Sequence, residues 1–292
     1  GNSLSPYWQA RAMAILGDIP YRLTLLNNQG SWLEWLPVEG YAPTLAERHF
    51  LGLGPAREED YAKACKGCWD DGDWLYAHRC QDSWSKIRSV IQRDTQNAMK
   101  QEAARINHKI VEPEESDLVI YDRCDADALL THLEYGPTAF SFYARMLSEM
   151  RGVRRVLFIG PPLSGKTLET CRRFRQRSHA RVYSLLIPNN PDVHVIDKPY
   201  GTSFEDFAYI IMAHRLVIPH VGTSWGLWAG MACRGEVWMP VMTDHHPEEV
   251  LRGFPGQGKM HFLKVPWLRP ETPITANMTW EGDEFLRWLE QN

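Results

Sequence analysis

The sequence has no long apolar run, and no stretch approaches the roughly 20 apolar residues that a membrane-spanning helix requires. It also has no internal repeat, no low-complexity tract and little excess of charge, since its formal net charge is −4. Hydrophobic residues make up 44% and charged residues 23%, which is typical of globular chains and excludes disorder, collagen and coiled coil. Because the net charge is small and negative, the chain as a whole has no excess of positive charge that would attract nucleic acid. We therefore expect neither a nucleic-acid partner nor a membrane segment within this chain.

The chain also lacks a charged-then-apolar leader followed by a small-residue cleavage site, and it begins at Gly1 rather than at methionine. We expect that an N-terminal anchor or leader has been removed, and a secretory lumen is favoured over the cytoplasm as the location. The length of 292 residues suggests one large domain or two domains of medium size.

The six cysteines lack the repeated spacing of a common zinc site. One short segment still contains the thiols and the imidazole that zinc prefers, at Cys65, Cys68, His78 and Cys80. Because the second half of this segment does not repeat C-x-x-C, disulfides or reduced thiols are favoured over a zinc site. A thioredoxin-type redox role is disfavoured, since no strand leads into the motif and no helix clearly follows it.

The hydrophobic pattern indicates an α/β protein. In the first half, the spacing predicts a short strand at 21–26, a long helix at 83–110, a buried strand at 118–121 and a helix at 140–150. After residue 153, strands and helices alternate, which favours a parallel sheet covered on both faces. The predicted strands of this part are 156–159, 182–186, 193–196, 216–218 and 236–241, and the predicted helices are 167–177, 204–213, 225–232 and 280–289.

One segment matches a phosphate-binding motif. Residues 160–167 are Gly-Pro-Pro-Leu-Ser-Gly-Lys-Thr, which fits the Walker A pattern between a predicted strand and a predicted helix. In a P-loop, backbone N–H groups cradle phosphates, Lys166 reaches the terminal ones and Thr167 holds Mg²⁺. Asp197, at the end of a predicted strand, fits a Walker B aspartate. Two prolines remove N–H donors from the loop, however, so a P-loop kinase or NTPase is the alternative hypothesis.

A second candidate phosphate site lies within 202–230. Thr202 and Glu205 fit a capping box, so these two residues have a structural explanation. Gly222, Thr223 and Ser224 stand at a predicted helix start, where they offer N–H groups, hydroxyls and the positive end of the helix dipole to an anion. Taken alone, this turn is better explained as an ordinary N-cap.

Taken together, three segments resemble fucosyltransferase-like GT-B glycosyltransferases, in the form found in algae and algal viruses. Residues 202–230 resemble the donor-binding half, where an acidic residue opens a helix, a strand follows, and a Ser/Thr-rich turn leads into an aromatic-Ala/Gly helix. Residues 118–143 resemble the strand-end H-x-R-x-x-D element, and residues 2–6 are similar to the first loop. The resemblance implies two Rossmann-like lobes with a cleft between them, an acceptor-side lobe at 1–150, a nucleotide-sugar-binding lobe at 151–292, and a C-terminal helix.

Arg123 carries over directly from this element, but Tyr121 stands where the motif has histidine and Ala126 where it has the acid. The general base is therefore left open among the neighbouring residues, and Asp125 or Asp127 is favoured. The implied roles are catalysis by Asp125, Asp127 and Arg123; donor or phosphate binding by Arg123, Gly222, Thr223, Ser224, Lys166 and Asp206; and acceptor contacts by His132, Glu134 and Tyr135. Asp197 and Glu205 are further candidates for contacts with the base and ribose of the donor.

The resemblance implies transfer of fucose, xylose or a similar sugar from a GDP- or UDP-linked donor to a glycan hydroxyl. The leaving diphosphate requires positive charge, which the planar and always-charged Arg123 supplies. The resemblance also implies an inverting, metal-independent transfer that needs no cofactor. The expected partners are a nucleotide sugar and a glycan or glycoprotein acceptor. A catalytically dead carbohydrate-binding module also stays open, because Tyr121 and Ala126 depart from the motif.

Overall fold

The computed structural model describes residues 8, 11, 21–22, 32–36, 39–40, 81–123, 136–160, 168–199, 201–221, 224–242, 260–265 and 283–292. In chain order, the strands of these residues are β1 (Tyr21–Arg22), β2 (Glu39–Gly40), β3 (Asp117–Tyr121), β4 (Gly136–Pro137), β5 (Arg155–Ile159), β6 (His194–Asp197), β7 (Arg215–Val217), β8 (His220–Val221), β9 (Glu236–Met242) and β10 (Met260–Val265). The helices are α1 (Gln81–Arg105), α2 (Ser141–Leu147), α3 (Leu168–Leu186), α4 (Ser203–Ile211), α5 (Ser224–Ala232) and α6 (Asp283–Gln291), with a 3₁₀ helix at Trp32–Trp35.

Six of the strands form one sheet in the spatial order β10-β9-β7-β3-β5-β6. Each neighbouring pair in this sheet is parallel. When these six strands are numbered along the chain, the order from one edge to the other is 3-2-1-4-5-6, which is the strand order of the doubly wound Rossmann fold. The predicted α/β class with a parallel sheet is therefore confirmed for the described part of the chain.

Helices cover both faces of this sheet, and strand β3 shows how its residues divide between the two. Val119 and Tyr121 join the core cluster beneath α1, α4 and α5, whereas Leu118 and Ile120 join the cluster beneath α2, α3 and α6. The side chains alternate because successive residues of a strand point to opposite faces. Every residue of β3 is buried, as expected for a central strand of a parallel sheet with two covered faces.

The long helix α1 belongs to the first of these faces and holds the end of α5. Arg88 Nη2 and Gln92 Nε2 both donate hydrogen bonds to the carbonyl oxygen of Cys233, at 3.0 and 2.6 Å. The helix ends at Arg105, before the predicted end at residue 110. Asn107 has a φ of 51°, a left-handed conformation that stops the helix and that asparagine tolerates better than most residues.

Two predictions of secondary structure need correction. Residues 182–186 form the last turns of α3 rather than a strand. Val182 and Leu186 are buried at helical spacing with Phe174, while Tyr183 is exposed, so the apolar pattern belongs to a helix face. The sequence also did not predict β10, which pairs with β9 from Met260–Val237 to Val265–Met242. The helix predicted at 167–177 extends to Leu186, and of the strand predicted at 21–26 only Tyr21–Arg22 is described. The other predicted elements are present among the described residues, with ends shifted by up to five positions.

The predicted domain boundary near residue 150 falls between two adjacent strands of the sheet. Strand β3, from the first half, pairs with β5, from the second half, between Asp117–Arg155 and Tyr121–Ile159. Helix α1, also from the first half, packs against α5. Consequently β3 and α1 share a sheet and a core with the second half. A separate acceptor-side lobe stays a prediction, because most of residues 1–80 lie outside the described residues.

Two short antiparallel pairs accompany the main sheet. One joins β1 to β2, and the other joins β4 to β8 at the pairs Gly136–Val221 and Pro137–His220. The second pair adjoins the carboxyl end of β7, where Thr138 also contributes its backbone N–H and its hydroxyl to the carbonyl oxygen of Pro219, both at 3.1 Å. Among the described helices, none is long and apolar enough to cross a bilayer.

Candidate functional site

The strand order reverses between β3 and β7, and this reversal creates a crevice at their carboxyl ends. From β3 the chain continues outward to β5 and β6, whereas from β7 it continues in the opposite direction to β9 and β10. In open α/β sheets, ligands bind outside the carboxyl ends of the strands at such a switch point. Asp122 and Arg123 follow β3 directly, and Ile218 and Pro219 lead from β7 into β8. The residues after these two strands therefore define the candidate site.

Asp122 is the centre of a buried cluster at this edge of the sheet. Its Oδ2 accepts a hydrogen bond from Arg175 Nε at 2.7 Å, and its Oδ1 lies 2.9 Å from His220 Nε2. All three side chains are less than 10% exposed. The backbone N–H of Asp122 donates to the carbonyl oxygen of Ile159 at 2.7 Å. The cluster therefore joins the ends of β3 and β5 to α3 and β8.

The charges of this cluster are interdependent. Burial raises the pKa of Asp122, but the hydrogen bond to His220 and the charge of Arg175 outweigh burial, so the pKa lies below its ordinary value. Burial, with a contribution from the charge of Asp122, raises the pKa of Tyr143 well above its usual range. Nδ1 of His220 is buried and has no hydrogen-bond partner within the described residues. Asp122 is thus held as a carboxylate.

Aromatic packing brings the start of α5 to the end of β3. The rings of Tyr121 and Trp225 lie 4.6 Å apart between centroids, and Trp225 also meets Phe207 edge-on at 5.1 Å. Because Trp225 follows Ser224, the first residue of α5, this contact fixes the amino end of the helix beside the strand end. A helix amino end carries partial positive charge and directs N–H groups outward. Tyr121, one of the two departures from the H-x-R-x-x-D element, therefore has a packing role.

Arg123 lies at this same edge, directly after the buried Asp122, and it is half-buried. The remaining predicted catalytic and acceptor-side residues lie outside the described residues, and so do several predicted donor contacts and the zinc candidates: Asp125, Asp127, His132, Glu134, Tyr135, Lys166, Gly222, Thr223, Cys65, Cys68, His78 and Cys80. In the described ranges, no group of histidine, cysteine, aspartate or glutamate side chains is arranged to hold a metal ion.

The acidic residues at the start of α4 are engaged within the fold. Thr202 and Glu205 form the predicted capping box, in which each side chain accepts a hydrogen bond from the backbone N–H of the other, at 3.2 and 2.6 Å. Asp206 is buried and accepts a hydrogen bond from Lys198 Nζ at 2.8 Å. The capping box gives Glu205 a structural role. The donor-binding role of Asp206 stays a prediction.

Asp197, the candidate Walker B aspartate, lies at the outer edge of the sheet. Its Oδ1 lies 3.3 Å from His179 Nε2 and 3.7 Å from Arg175 Nη1. This contact with His179 is the main reason that the pKa of Asp197 lies below its ordinary value, and partial burial opposes it. Through Arg175, this carboxylate extends the Asp122 cluster towards the edge strand β6.

The first glycine of the Walker-like motif has a steric explanation. A Cβ atom added at Gly160 would collide with the carbonyl oxygen of Asp122, because the ends of β5 and β3 approach each other closely here. Glycine permits this close approach of two backbones. The match of Gly160 to the Walker pattern therefore carries less weight as a sign of phosphate binding.

Sequence reasoning missed three residues of the cluster, Asp122, Arg175 and His220. Asp122 precedes Arg123, and the period-two pattern of β3 would have placed its side chain on the same face as Leu118 and Ile120. Arg175 is one of several arginines along α3, and His220 follows an apolar run, so neither gave a signal. Comparisons of the chain with protein-family models, curated proteins and solved structures find no match.

Proposed function

We propose that this protein is a glycosyltransferase that moves a sugar such as fucose or xylose from a nucleotide-diphosphate donor to a glycan hydroxyl. The observation that carries the proposal is the convergence of two segments at the switch point of the sheet. The strand end at 121–123 contacts the segment 220–225 through the Asp122–His220 bond and the Tyr121–Trp225 ring contact. They belong to two of the three segments that carry the family resemblance.

This convergence of the two segments supports binding of a diphosphate by groups on two sides. Arg123 supplies a fixed cation, and the start of α5 at Ser224, with Gly222 and Thr223 before it, supplies N–H groups and hydroxyls. Charge that develops on the leaving diphosphate is stabilised from both sides. Asp125 or Asp127, close after Arg123, serves as the general base for the acceptor hydroxyl. On this proposal the transfer is inverting and needs no metal.

The donor site belongs to one lobe of a GT-B arrangement on this proposal, with the acceptor bound by a lobe that includes part of residues 1–80. His132, Glu134 and Tyr135 then lie on the acceptor side. A secretory lumen is the proposed location. Cys171 supports it, because this cysteine is disulfide-bonded and disulfides persist mainly in oxidising compartments.

Ligand-induced stabilisation tests the proposal directly. Thermal unfolding is measured with GDP, UDP, their sugar conjugates and ATP, each with and without Mg²⁺. A nucleotide at 100 times its dissociation constant stabilises the protein by about 2.7 kcal/mol. We expect stabilisation by GDP or UDP without metal in the wild type, its loss in Arg123→Ala, and its retention in Arg181→Ala, which removes an exposed arginine from α3.

Transfer kinetics with the sugar donor identified in this way provide the second readout. Loss of one charge-stabilising group costs on the order of 10²–10³ in rate, so we expect a loss of that size in Arg123→Ala. A wild-type protein that binds the nucleotide sugar but neither transfers nor hydrolyses it would instead support the carbohydrate-binding module.

The P-loop hypothesis is the second candidate, because the Walker-like segment stands between strand β5 and helix α3 as that motif requires. It predicts stabilisation by ATP only in the presence of Mg²⁺. It also predicts that Lys166→Ala abolishes this stabilisation while Arg123→Ala leaves it unchanged. That combination of results would overturn the glycosyltransferase proposal.

A further inference from the structure

Cys171, on the first turn of α3, is fully buried and is part of a disulfide bond. Cys233 is free, and burial raises the pKa of its thiol to about 11. The partner of Cys171 is therefore one of the remaining cysteines in the sequence, which are Cys65, Cys68, Cys80 and Cys124. The positions of described residues on β3 and α3 distinguish among these four.

The face of β3 that meets α3 is known from its contacts. Leu118 and Ile120 belong to the same core cluster as Cys171. Asp122, two residues further on, continues on this face, since its carboxylate binds Arg175 of α3. Side chains of an extended chain return to the same face at every second residue. In the sequence, the next residue at this spacing is Cys124.

The register along α3 gives the same partner. Helix α3 connects the carboxyl end of β5 to the start of the parallel strand β6, so it runs antiparallel to the strands. Cys171 precedes Arg175 by four residues, so it lies about 6 Å closer to the amino end of α3. This is the direction in which β3 runs, towards the carboxyl edge of the sheet. Cys124 follows Asp122 by two residues in the sequence, and two residues of extended chain span about 6.6 Å. The two distances match, and this match favours Cys124 as the partner of Cys171.

We propose that Cys124 and Cys171 form a disulfide bond that fastens the segment after Arg123 to helix α3. Arg123 is thereby held between two fixed neighbours, since Asp122 before it is bound to Arg175 and Cys124 after it is bound to Cys171. The bond makes Cys124 and Cys171 positioning residues for Arg123 and for Asp125. This second consequence, unlike the bond itself, rests on the proposed function.

Peptide mapping without reduction identifies the bond whatever the function. The purified protein is denatured, its free thiols are alkylated, and it is digested with trypsin. Cleavage after Arg123 and Lys166 releases Cys124 on the peptide 124–145 and Cys171 on the peptide 167–172, and the other cysteines fall on different peptides. We expect 124–145 linked to 167–172, with Cys233 alkylated as the internal reference for a free thiol. A link from 167–172 to any other peptide, or alkylated Cys124, would overturn the proposal.

The positioning role is tested with Cys124→Ser, Cys171→Ser and the double variant, with Cys233→Ser as the control that removes a thiol outside the bond. Each single variant is expected to weaken nucleotide-dependent stabilisation and to lower kcat/KM by up to about 100-fold, because a small misplacement of a site residue has effects of this size. The double variant should lose no more than either single variant. Additive losses, or equal losses in the Cys233 control, contradict the positioning role, while the peptide map still decides the bond.

Discussion

Strand β3 has a buried aspartate at each end, and the two carboxylates have different surroundings. Before the switch point, Asp117 accepts two hydrogen bonds from Arg155, both at 2.8 Å, and one from the backbone N–H of Glu114. Arg155 is itself 40% exposed. At the other end, Asp122 binds Arg175 and His220, which are almost completely buried. The ion pair at the amino end of β3 is partly exposed to water, whereas the cluster at the carboxyl end is buried.

The comparison distinguishes a partly exposed structural ion pair from the buried cluster at the candidate site. At the amino end, a planar bidentate pair connects β3 to β5 while the cation keeps its hydration, which costs little. At the carboxyl end, three buried ionisable groups have been desolvated, and such clusters are poor sources of net stability. Proteins that depart from the usual preferences for stable packing and pairing do so mainly at functional sites. The carboxyl end is also where Arg123 and the start of α5 converge.

Removing each carboxylate in turn gives the largest expected difference between the ends. Asp122→Asn leaves the charge of Arg175 buried without its counter-ion, and breaking a buried pair in this way costs about 3–5 kcal/mol of unfolding free energy. Asp117→Asn leaves Arg155 able to turn to water, so we expect a smaller loss of about 1–2 kcal/mol. Chemical denaturation of both variants measures the difference. Equal losses of unfolding free energy in the two variants would contradict this difference between the two ends of β3.

The dependence of stability on pH sharpens the same comparison. Since the pKa of Asp122 is lower in the folded protein than its ordinary value near 3.8, its carboxylate stabilises the fold above about pH 4. This contribution disappears as pH falls through the folded pKa, when the wild type comes to resemble Asp122→Asn. The difference in unfolding free energy between wild type and variant should therefore shrink below pH 4. A difference that is constant from pH 7 to pH 2 would contradict the assigned role of this carboxylate.

The smallest effect is expected at the amino end, where Arg155 also pairs with Glu114 at 2.9 Å. Both side chains are substantially exposed, at 40% and 66%. Exposed pairs contribute little, so Glu114→Gln should change the unfolding free energy by less than about 0.5 kcal/mol, and added salt should reduce even that. Denaturation at low and high ionic strength measures the effect. A loss of unfolding free energy close to that of Asp122→Asn would contradict the small contribution expected of the Arg155–Glu114 pair.

Much of the α/β pattern was predictable because it is local. Buried strands such as 118–121 are continuous apolar runs, and the capping box of Thr202 and Glu205 depends on residues three positions apart. The error at 182–186 has a physical reason, since a short apolar run fits a strand or one side of a helix equally well. Strand β10 was missed because its residues acquire their role from pairing with β9, a contact distant along the chain.

The candidate site was predictable only in part. Arg123 was named from its segment and lies beside the cluster around Asp122, which was not predicted. The turn at residues 222–223 lies outside the described residues, so its role stays a prediction. Arg175 follows Asp122 by 53 residues and His220 follows it by 98, so no local pattern connects them. The donor and acceptor roles of the residues outside the described ranges stay predictions.

The amino-acid sequence by itself determined the alternation of strands and helices, the capping box at the start of α4 and the presence of Arg123 at a strand end. These features follow from hydrophobic spacing and from hydrogen bonds between near neighbours. Only the tertiary structure decided that β3 lies at the centre of the sheet, beside strands from the other half of the chain. The physical reason is that strand order depends on backbone pairing, which any strand of suitable apolarity can make, and on the packing of both covered faces. That order places Asp122, Arg123 and the start of α5 at one switch point.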